Sequence, residues 1–429
     1  MPPRTPRPKV LFGGQDAERA WNPGGPSVLP ELGADLSGAL LASTDELLVL
    51  LAGAGDEVLC SRRPPTALLR RLHAFGCAAK VTAVPGDPGT AVERRLAAGA
   101  LPPGYARGRA ALPYAVVPGT ADAVRVLGAT GQTVSAVVAA RVNSKSWSND
   151  FCRDHELEGV ATVVRTGAQL DAAAAAIDGP VVLKSPHGVA GRGALLVRDR
   201  RQLAVVARRL DRQAPSGAQP LLVQPCYRRA LDFSAHLDVR PGGSVLAGFR
   251  GMTNRGLAFS SSDTLASADR RRLEDDETYR AVLGTLGRAL VAAGYHGPVS
   301  VDGLVTEDGV LVPVLDINAR LSMGRYGLAL ERLCADRCRM VSLHTVPLRT
   351  NVSYEEADAL VDQALGRAEL RWDGSGPGVT ALTAGTLQPP AGRLYFAVHA
   401  DTAQQTDAVV RTVRNLLADG LPTPDGVAA

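Results

Sequence analysis

The sequence predicts an α/β protein in three parts: an N-terminal α/β unit over 1–140, a larger unit over 141–348 and a small C-terminal α/β appendage over 349–429. Three observations carry this reading. Apolar runs of strand length alternate with helix-length segments from residue 10 onward, and the alternation sharpens after 141. Two strand-like runs within 298–318 flank a turn signal, and a new helix–strand–helix pattern starts near 350. With 429 residues and 45% apolar content, the chain can bury ample core in two or three domains.

Taken in order, Val10-Leu11-Phe12 before Gly13-Gly14 reads as a strand entering a turn. Glu57-Val58-Leu59-Cys60 is the next strand, followed by a helix over 65–74 and a strand over 81–84. Residues 85–115 are rich in Pro and Gly and hold one short helix, 90–98; another helix covers 120–127. Then come helix 144–158, strand 162–164, helix 168–177, strands 181–184 and 194–197, helix 200–212 and the buried strand 221–224. Antiparallel strands follow over 232–239 and 244–250. Helix 274–294 carries an apolar stripe at Tyr279, Val282, Leu283, Leu286 and Leu290. In the tail, 351–366 is helical and 393–398 is a strand. Asp401 with Gln404 resembles a capping box ahead of the stripe Val409, Val413, Leu416 and Leu417.

Composition excludes several classes. There is no run of the roughly 18 apolar residues that a membrane-spanning helix needs. The longest apolar stretch, 36–51, is broken by Asp45 and Glu46. Residues 1–8 are Pro/Arg-rich without an apolar segment, so no secretory signal is expected. Cys60, Cys77, Cys152, Cys226, Cys334 and Cys338 show no framework spacing. They read as reduced thiols of a cytoplasmic protein, not metal ligands, with Cys334 and Cys338 on one helix. Net charge is only +4, basic residues are dispersed and aromatics make up 4%, which is no footprint for nucleic acid.

Four lysines stand against forty-three arginines, so a retained lysine points to a site needing a compact ammonium. Lys184 ends the run Val181-Val182-Leu183 and precedes a loop containing Gly188, Gly191 and Gly193. Downstream lies Asp316-Ile317-Asn318-Ala319-Arg320 on the second strand of the 298–318 hairpin. Asp316 and Asn318 share a face by strand alternation. Asp302 joins them only if the turn has three residues, 307–309 with Gly309 left-handed. That turn pairs Thr306 with Val310 and sets Asp302 opposite Val314, diagonal to Asp316. A two-residue Asp-Gly turn would put the carboxylates on opposite faces. Two carboxylates and a carboxamide oxygen suit Mg²⁺, and Arg320 can fork onto a phosphate or carboxylate. The simpler reading is a capped strand end. Pro313 is awkward in a buried strand, because it gives the ladder no donor.

Together these motifs resemble the ATP-grasp superfamily of carboxylate–amine ligases over about 140–345, which implies a two-lobed nucleotide-binding core. The resemblance implies that Lys145, in Val142-Asn143-Ser144-Lys145, and Lys184 contact the phosphates of ATP, and that the glycine loop covers them. It places Gln224 and Cys226 on the adenine-holding linker, Asp232 on the ribose, and Mg²⁺ on Asp302, Asp316 and Asn318. Gln224, Asp232 and Asp316 depart from the family's usual acids at the linker, ribose and metal positions. Leu321-Ser322-Met323-Gly324-Arg325 is unlike the biotin carboxylase pattern, so that chemistry is not expected. Within the superfamily, the long N-terminal unit, Asn318 to Gly324 and the small tail resemble pheganomycin-type peptide ligases. Dimers follow by analogy.

The resemblance implies an acyl phosphate made from ATP and an amino-acid-like carboxylate, then attack by an amine or peptide, releasing ADP and phosphate. Arg320, and Arg250 from Gly248-Phe249-Arg250-Gly251, are the expected stabilisers of the acyl phosphate. A plain structural role for Arg250 stands beside that one. His187 reads equally as loop polarity, His236 as a satisfied core histidine, and Asp232 also as a turn cap. An ATP-grasp phosphotransferase acting on a hydroxyl and a non-catalytic nucleotide binder are the competing readings.

Overall fold

A computed structural model describes residues 7–15, 17–21, 29, 38–131, 134–188, 193–213 and 219–418. Three sheets organise them. β1 (Lys9–Phe12), β2 (Glu57–Cys60), β3 (Lys80–Ala83) and β4 (Ala110–Pro113) form a parallel sheet in the order β3-β2-β1-β4. Helices and turns cover both faces, which is why β1 and β2 read as unbroken apolar runs. The 3₁₀ segment Ser43–Leu51 packs against β2 with Asp45 and Glu46 buried.

β5 (Thr162–Val164), β6 (Val181–Lys184), β7 (Ala194–Val197) and β8 (Leu221–Pro225) make a small antiparallel sheet, β5-β8-β6-β7. Helices Gly167–Ala175 and Arg200–Gln213 close it with Leu170, Val206 and Leu210. The third sheet holds β9 (Arg229–Arg240), β10 (Gly243–Arg255), β11 (Ala258–Asp263), β12 (Gly297–Thr306), β13 (Leu311–Asn318), β14 (Met340–Arg349), β15 (Gly378–Ala381) and β16 (Ala391–Ala400). Its order is β13-β12-β9-β10-β11-β14-β16-β15. Helix Glu277–Ala292 presents the expected stripe to it, with Tyr279 edge-on to Phe233 at 5.7 Å between ring centres.

Several elements differ from the sequence reading. The tail is not a sheet of its own: β16 pairs with β14 along ten residues and carries β15, so it lengthens the large sheet. The expected boundaries fall inside elements, at helix Ala136–Val142 and within β14. β4, β11, β14 and β15 were not foreseen. The helix expected over 274–294 is Glu277–Ala292, and a separate helix, Ser267–Asp275, ends just before it. Between them Asp276 caps Glu277–Ala292, its Oδ1 accepting the Tyr279 N–H at 2.8 Å. The capping box falls one residue later than expected, on Thr402 and Gln405. Cys334 ends helix Met323–Cys334, and Cys338 lies beyond it. Among the described residues no helix is long and apolar enough to cross a membrane.

Candidate active site

Gly309 decides the β12–β13 hairpin. It is left-handed at φ +88°, its N–H bonds the Thr306 carbonyl at 3.0 Å, and the Thr306 N–H bonds the Val310 carbonyl at 2.9 Å. The loop is therefore the three-residue one. Near the loop the register follows from it, with Leu304 opposite Val312 and Val305 opposite Leu311. Further along it shifts by two residues, so Asp302 stands directly opposite Asp316 rather than Val314. An even shift preserves parity, and Asp302, Asp316 and Asn318 still share one face.

The shift has a visible cause. Pro313 offers no N–H and lies within the irregular stretch, and β13 is the edge strand, where a missing donor costs little. Gly303 lets the strands close there: a Cβ on it would stand 2.8 Å from Phe233 Cζ and 3.1 Å from the Val312 carbonyl oxygen.

Helix Lys145–Asp154 covers the exposed edge of β13. Asn143 Oδ1 accepts the Ala319 N–H at 2.9 Å, Ser148 Oγ accepts the Ile317 N–H at 3.2 Å, and Cys152 Sγ donates to the Val314 carbonyl at 3.4 Å. These side chains meet backbone groups that an edge would leave bare. Ser144 caps the helix, accepting the Trp147 N–H at 3.2 Å. Lys145, at the first helical position, lies over the strand with Nζ 2.8 Å from Asp316 Oδ2 and 3.2 Å from the Gly188 carbonyl.

The small sheet forms the opposite wall. Val182 and Lys184 point the same way along β6, and between the two sheets lies a cavity of about 200 Å³. Its apolar lining includes Val182, Met252, Leu257 and Phe259. Its ionic lining includes Lys145, Lys184, Asp302, Asp316 and Asp232. Arg229 donates to both oxygens of Asp232 at 3.2 Å, and Asn254 Nδ2 lies 3.4 Å from Oδ2.

The charges in the cavity are poised for ligands. Burial pushes Asp302 up to about 7, and the Asp316 carboxylate opposite adds to the rise. Asn318 Nδ2 donates to Asp302 Oδ2 at 3.0 Å. Burial pulls Lys184 down to about 8 against the attraction of Asp316. Among the described residues Lys184 makes no side-chain hydrogen bond or ion pair. A polyanion would favour the ammonium of Lys184 against burial, and a divalent cation would favour the carboxylate of Asp302. The hard oxygens of Asp302, Asp316 and Asn318 on one face fit Mg²⁺, and the Lys145 ammonium already supplies one positive charge there.

No protein-family model matches the sequence, and no curated protein sequence matches it. Solved structures do. N5-carboxyaminoimidazole synthase from Aspergillus clavatus, in complex with ADP and 5-aminoimidazole ribonucleotide, is 11% identical. Its TM-score is 0.53 over 96% of this chain and 99% of that one. L-amino acid ligase from Bacillus licheniformis is 14% identical, with a TM-score of 0.50 over 86% of this chain and 98% of that one. Biotin carboxylase from Campylobacter jejuni, in complex with an ATP analogue, is 12% identical, with a TM-score of 0.53 over 97% and 92%. This chain has the ATP-grasp fold.

The ATP-grasp cleft gathers Lys145, Lys184, Gly188, Gln224, Asp232, Asp302, Asp316 and Asn318 on its walls. Gly193 follows the loop at φ +74°, with the His187 carbonyl oxygen 3.0 Å from where a Cβ would sit. Gly191 lies outside the described residues. Gly193, Cys226, Arg250 and Arg320 are not on the walls. The Cys226 N–H is taken by the Pro180 carbonyl at 2.9 Å, and its neighbours Pro225 and Tyr227 line the cavity instead.

Arg250 is 0% exposed, and its five N–H donors meet five acceptors: Ser262 Oγ, Thr264 Oγ1, Glu331 and the carbonyls of Ser262 and Val341. The reading of Arg250 as a stabiliser of an acyl phosphate is corrected here to a clamp joining β10, β11, β14 and helix Met323–Cys334. Arg320 binds Glu18 of the N-terminal helix Ala17–Trp21, at 2.8 Å through Nε and 2.5 Å through an Nη. Burial, the largest single influence, would lower its pKa, but Glu18, Tyr114 and Asp316 together hold it raised. His236 is a satisfied core histidine, its Nε2 2.9 Å from Ser234 Oγ.

Sequence reasoning missed Glu18, Arg229, Tyr227 and Asn254. The Arg229–Asp232 spacing was a usable charge-pair signal. Glu18 and Asn254 carried none, because the fold alone brings them to the site.

Proposed function

We propose that the protein is an ATP-dependent carboxylate–amine ligase that joins an amino-acid-like acid to an amine or peptide and releases ADP and phosphate. The observation that carries the reading is Lys145 and Lys184 facing the opposed pair Asp302 and Asp316 across one cavity between two sheets. The similar fold of an L-amino acid ligase supports this substrate class. The run Asn318 to Gly324 favours the pheganomycin-type peptide ligases and a place in peptide natural-product assembly. Six free cysteines fit a reducing cytoplasm.

Each side chain has a task in this reading. Asp302, Asp316 and Asn318 hold Mg²⁺, which when bound screens the charge of phosphate oxygens. Lys184 receives those oxygens from the small-sheet side. Lys145 exchanges Asp316 for a phosphate oxygen once the cation supplies the positive charge. Met252, Leu257 and Phe259 offer an apolar surface to the base, and Asp232, held by Arg229, accepts from the ribose hydroxyls. Arg320 reaches the reacting carboxylate by exchanging its Glu18 partner.

The γ-phosphoryl group passes to a carboxylate oxygen of the acid and ADP leaves. The amine nitrogen then forms the bond to the acyl carbon, the carbon–oxygen bond to phosphate breaks, and the amine loses a proton. The side chains act by position and charge.

The test is ADP release from Mg-ATP across amino acids and small carboxylic acids, with hydroxylamine as acceptor. ADP together with a hydroxamate is the expected result. ADP with a phosphorylated hydroxyl and no hydroxamate would make the protein a phosphotransferase. AMP would reject the acyl phosphate, and ATP binding without turnover on any acid would leave a nucleotide-binding module.

A further inference from the structure

Cys334 and Cys338 are four residues apart, a spacing without meaning on its own. The large sheet changes that. β16 pairs His399 with Val341 of β14, just beyond the turn that follows helix Met323–Cys334. His399 Nδ1 then lies 3.6 Å from Cys334 Sγ and 4.0 Å from Cys338 Sγ, and the three atoms fall within 4.8 Å of one another.

The imidazole is held for this task. Its Nε2 is 3.1 Å from Thr380 Oγ1 on β15, and the Trp372 ring stacks on it at 3.8 Å and 15°. With the Nε2 proton donated to Thr380, the Nδ1 lone pair faces the two sulfurs, the arrangement in which an outer hydrogen bond orients a metal-binding histidine. A tetrahedral zinc ion bound to sulfur and nitrogen at ordinary bond lengths sets those donors about 3.6 Å apart. The observed separations lie at or just above that value. Two thiolates also neutralise a divalent cation, which suits a site where Cys334 and His399 are buried. Cys338 is only partly buried and lines a cleft with Arg270, Glu331, Met340 and Asp401, which gives an ion a way in and room for a fourth ligand.

We propose that Cys334, Cys338 and His399 Nδ1 form a binding site for a thiophilic divalent cation of the zinc class, tying the end of helix Met323–Cys334 to β16. The site stands apart from the nucleotide cavity and does not depend on its chemistry. It departs from the sequence expectation that the cysteines hold no metal, which rested on spacing along the chain and could not see His399.

The test uses Co²⁺ as a spectroscopic probe on the reduced full-length protein. The expected result is one Co²⁺ per chain with a thiolate-to-cobalt charge-transfer band, displaced by one equivalent of Zn²⁺, which raises the melting temperature. The band is lost in Cys334→Ser and Cys338→Ser. Thr380→Val weakens binding by roughly 10- to 100-fold while keeping all three ligands. Should Cys334→Ser fail to fold, Cys338→Ser, whose thiol is partly exposed, carries the same test. A reduced wild-type protein with no thiolate band, or a band that survives in Cys338→Ser, would overturn the proposal.

Discussion

Two pairs of carboxylates, one buried and one half-buried, sit in this molecule in different company. Asp45 and Glu46 are neighbours in sequence, sealed beneath the parallel sheet. Asp45 accepts from the Ser61 N–H, and Glu46 accepts from the N–H groups of Ala384 at 2.7 Å and Gly385 at 3.0 Å. Burial pushes Asp45 up to about 7 and Glu46 up to about 8. Asp302 and Asp316 are brought together by strand pairing, and they face a cavity and two lysines. Burial raises Asp302 as it raises Asp45 and Glu46. Only the second pair has open space beside it, and open space with unspent charge marks chemistry, whereas closure by backbone donors marks architecture.

The largest effect that could break this comparison is expected at Asp316. Asp316→Asn should abolish ADP release while leaving the melting temperature nearly unchanged. Glu46→Gln should leave ADP release close to wild type. The reverse pattern would exchange the two roles. Next, Lys184→Ala should lower kcat/KM for ATP by roughly 10- to 100-fold, the worth of a charge-assisted hydrogen bond.

A smaller effect is expected on stability. Glu46→Ala strips the acceptor from two buried N–H groups and should cost about 2–4 kcal/mol in denaturant unfolding. Activity per folded molecule should stay unchanged.

A separate effect is a pH slope. The folded chain keeps protons on Asp45 and Glu46 that the unfolded chain, with carboxylates near their ordinary value of about 4, has already lost. Their contribution to stability is therefore full below about pH 4. It is lost as pH rises through the folded values of about 7 and about 8. Asp302 adds to the slope in the same direction. Denaturant midpoints at pH 5 and pH 8 check the sign, and Glu46→Gln should flatten the difference.

The residues that line the cavity between the two sheets were largely legible in the sequence. Lys184 at a strand end, the glycine loop and Asp-x-Asn are local patterns, and the Gly309 turn set the parity of Asp302 from chain chemistry alone. The sequence carried contacts between distant segments poorly. The shift at Pro313 depends on Phe233 packing over Gly303. The Glu18–Arg320 pair spans the first and second units, and the five acceptors of Arg250 come from β11 and the turn after it, helix Met323–Cys334 and β14. β14 was missed because its alternation reads as strand only once β11 and β16 flank it, and with it went the continuity of the tail with the large sheet. His399 looked unremarkable for the same reason.

The most direct measurement is Mn²⁺ titration in the presence of ATP, followed by electron paramagnetic resonance, on wild type, Asp316→Asn and Glu46→Gln. The account predicts ATP-dependent Mn²⁺ binding in wild type and Glu46→Gln, and its loss in Asp316→Asn. Equal binding in all three proteins would contradict the placement of the metal on the β12–β13 face.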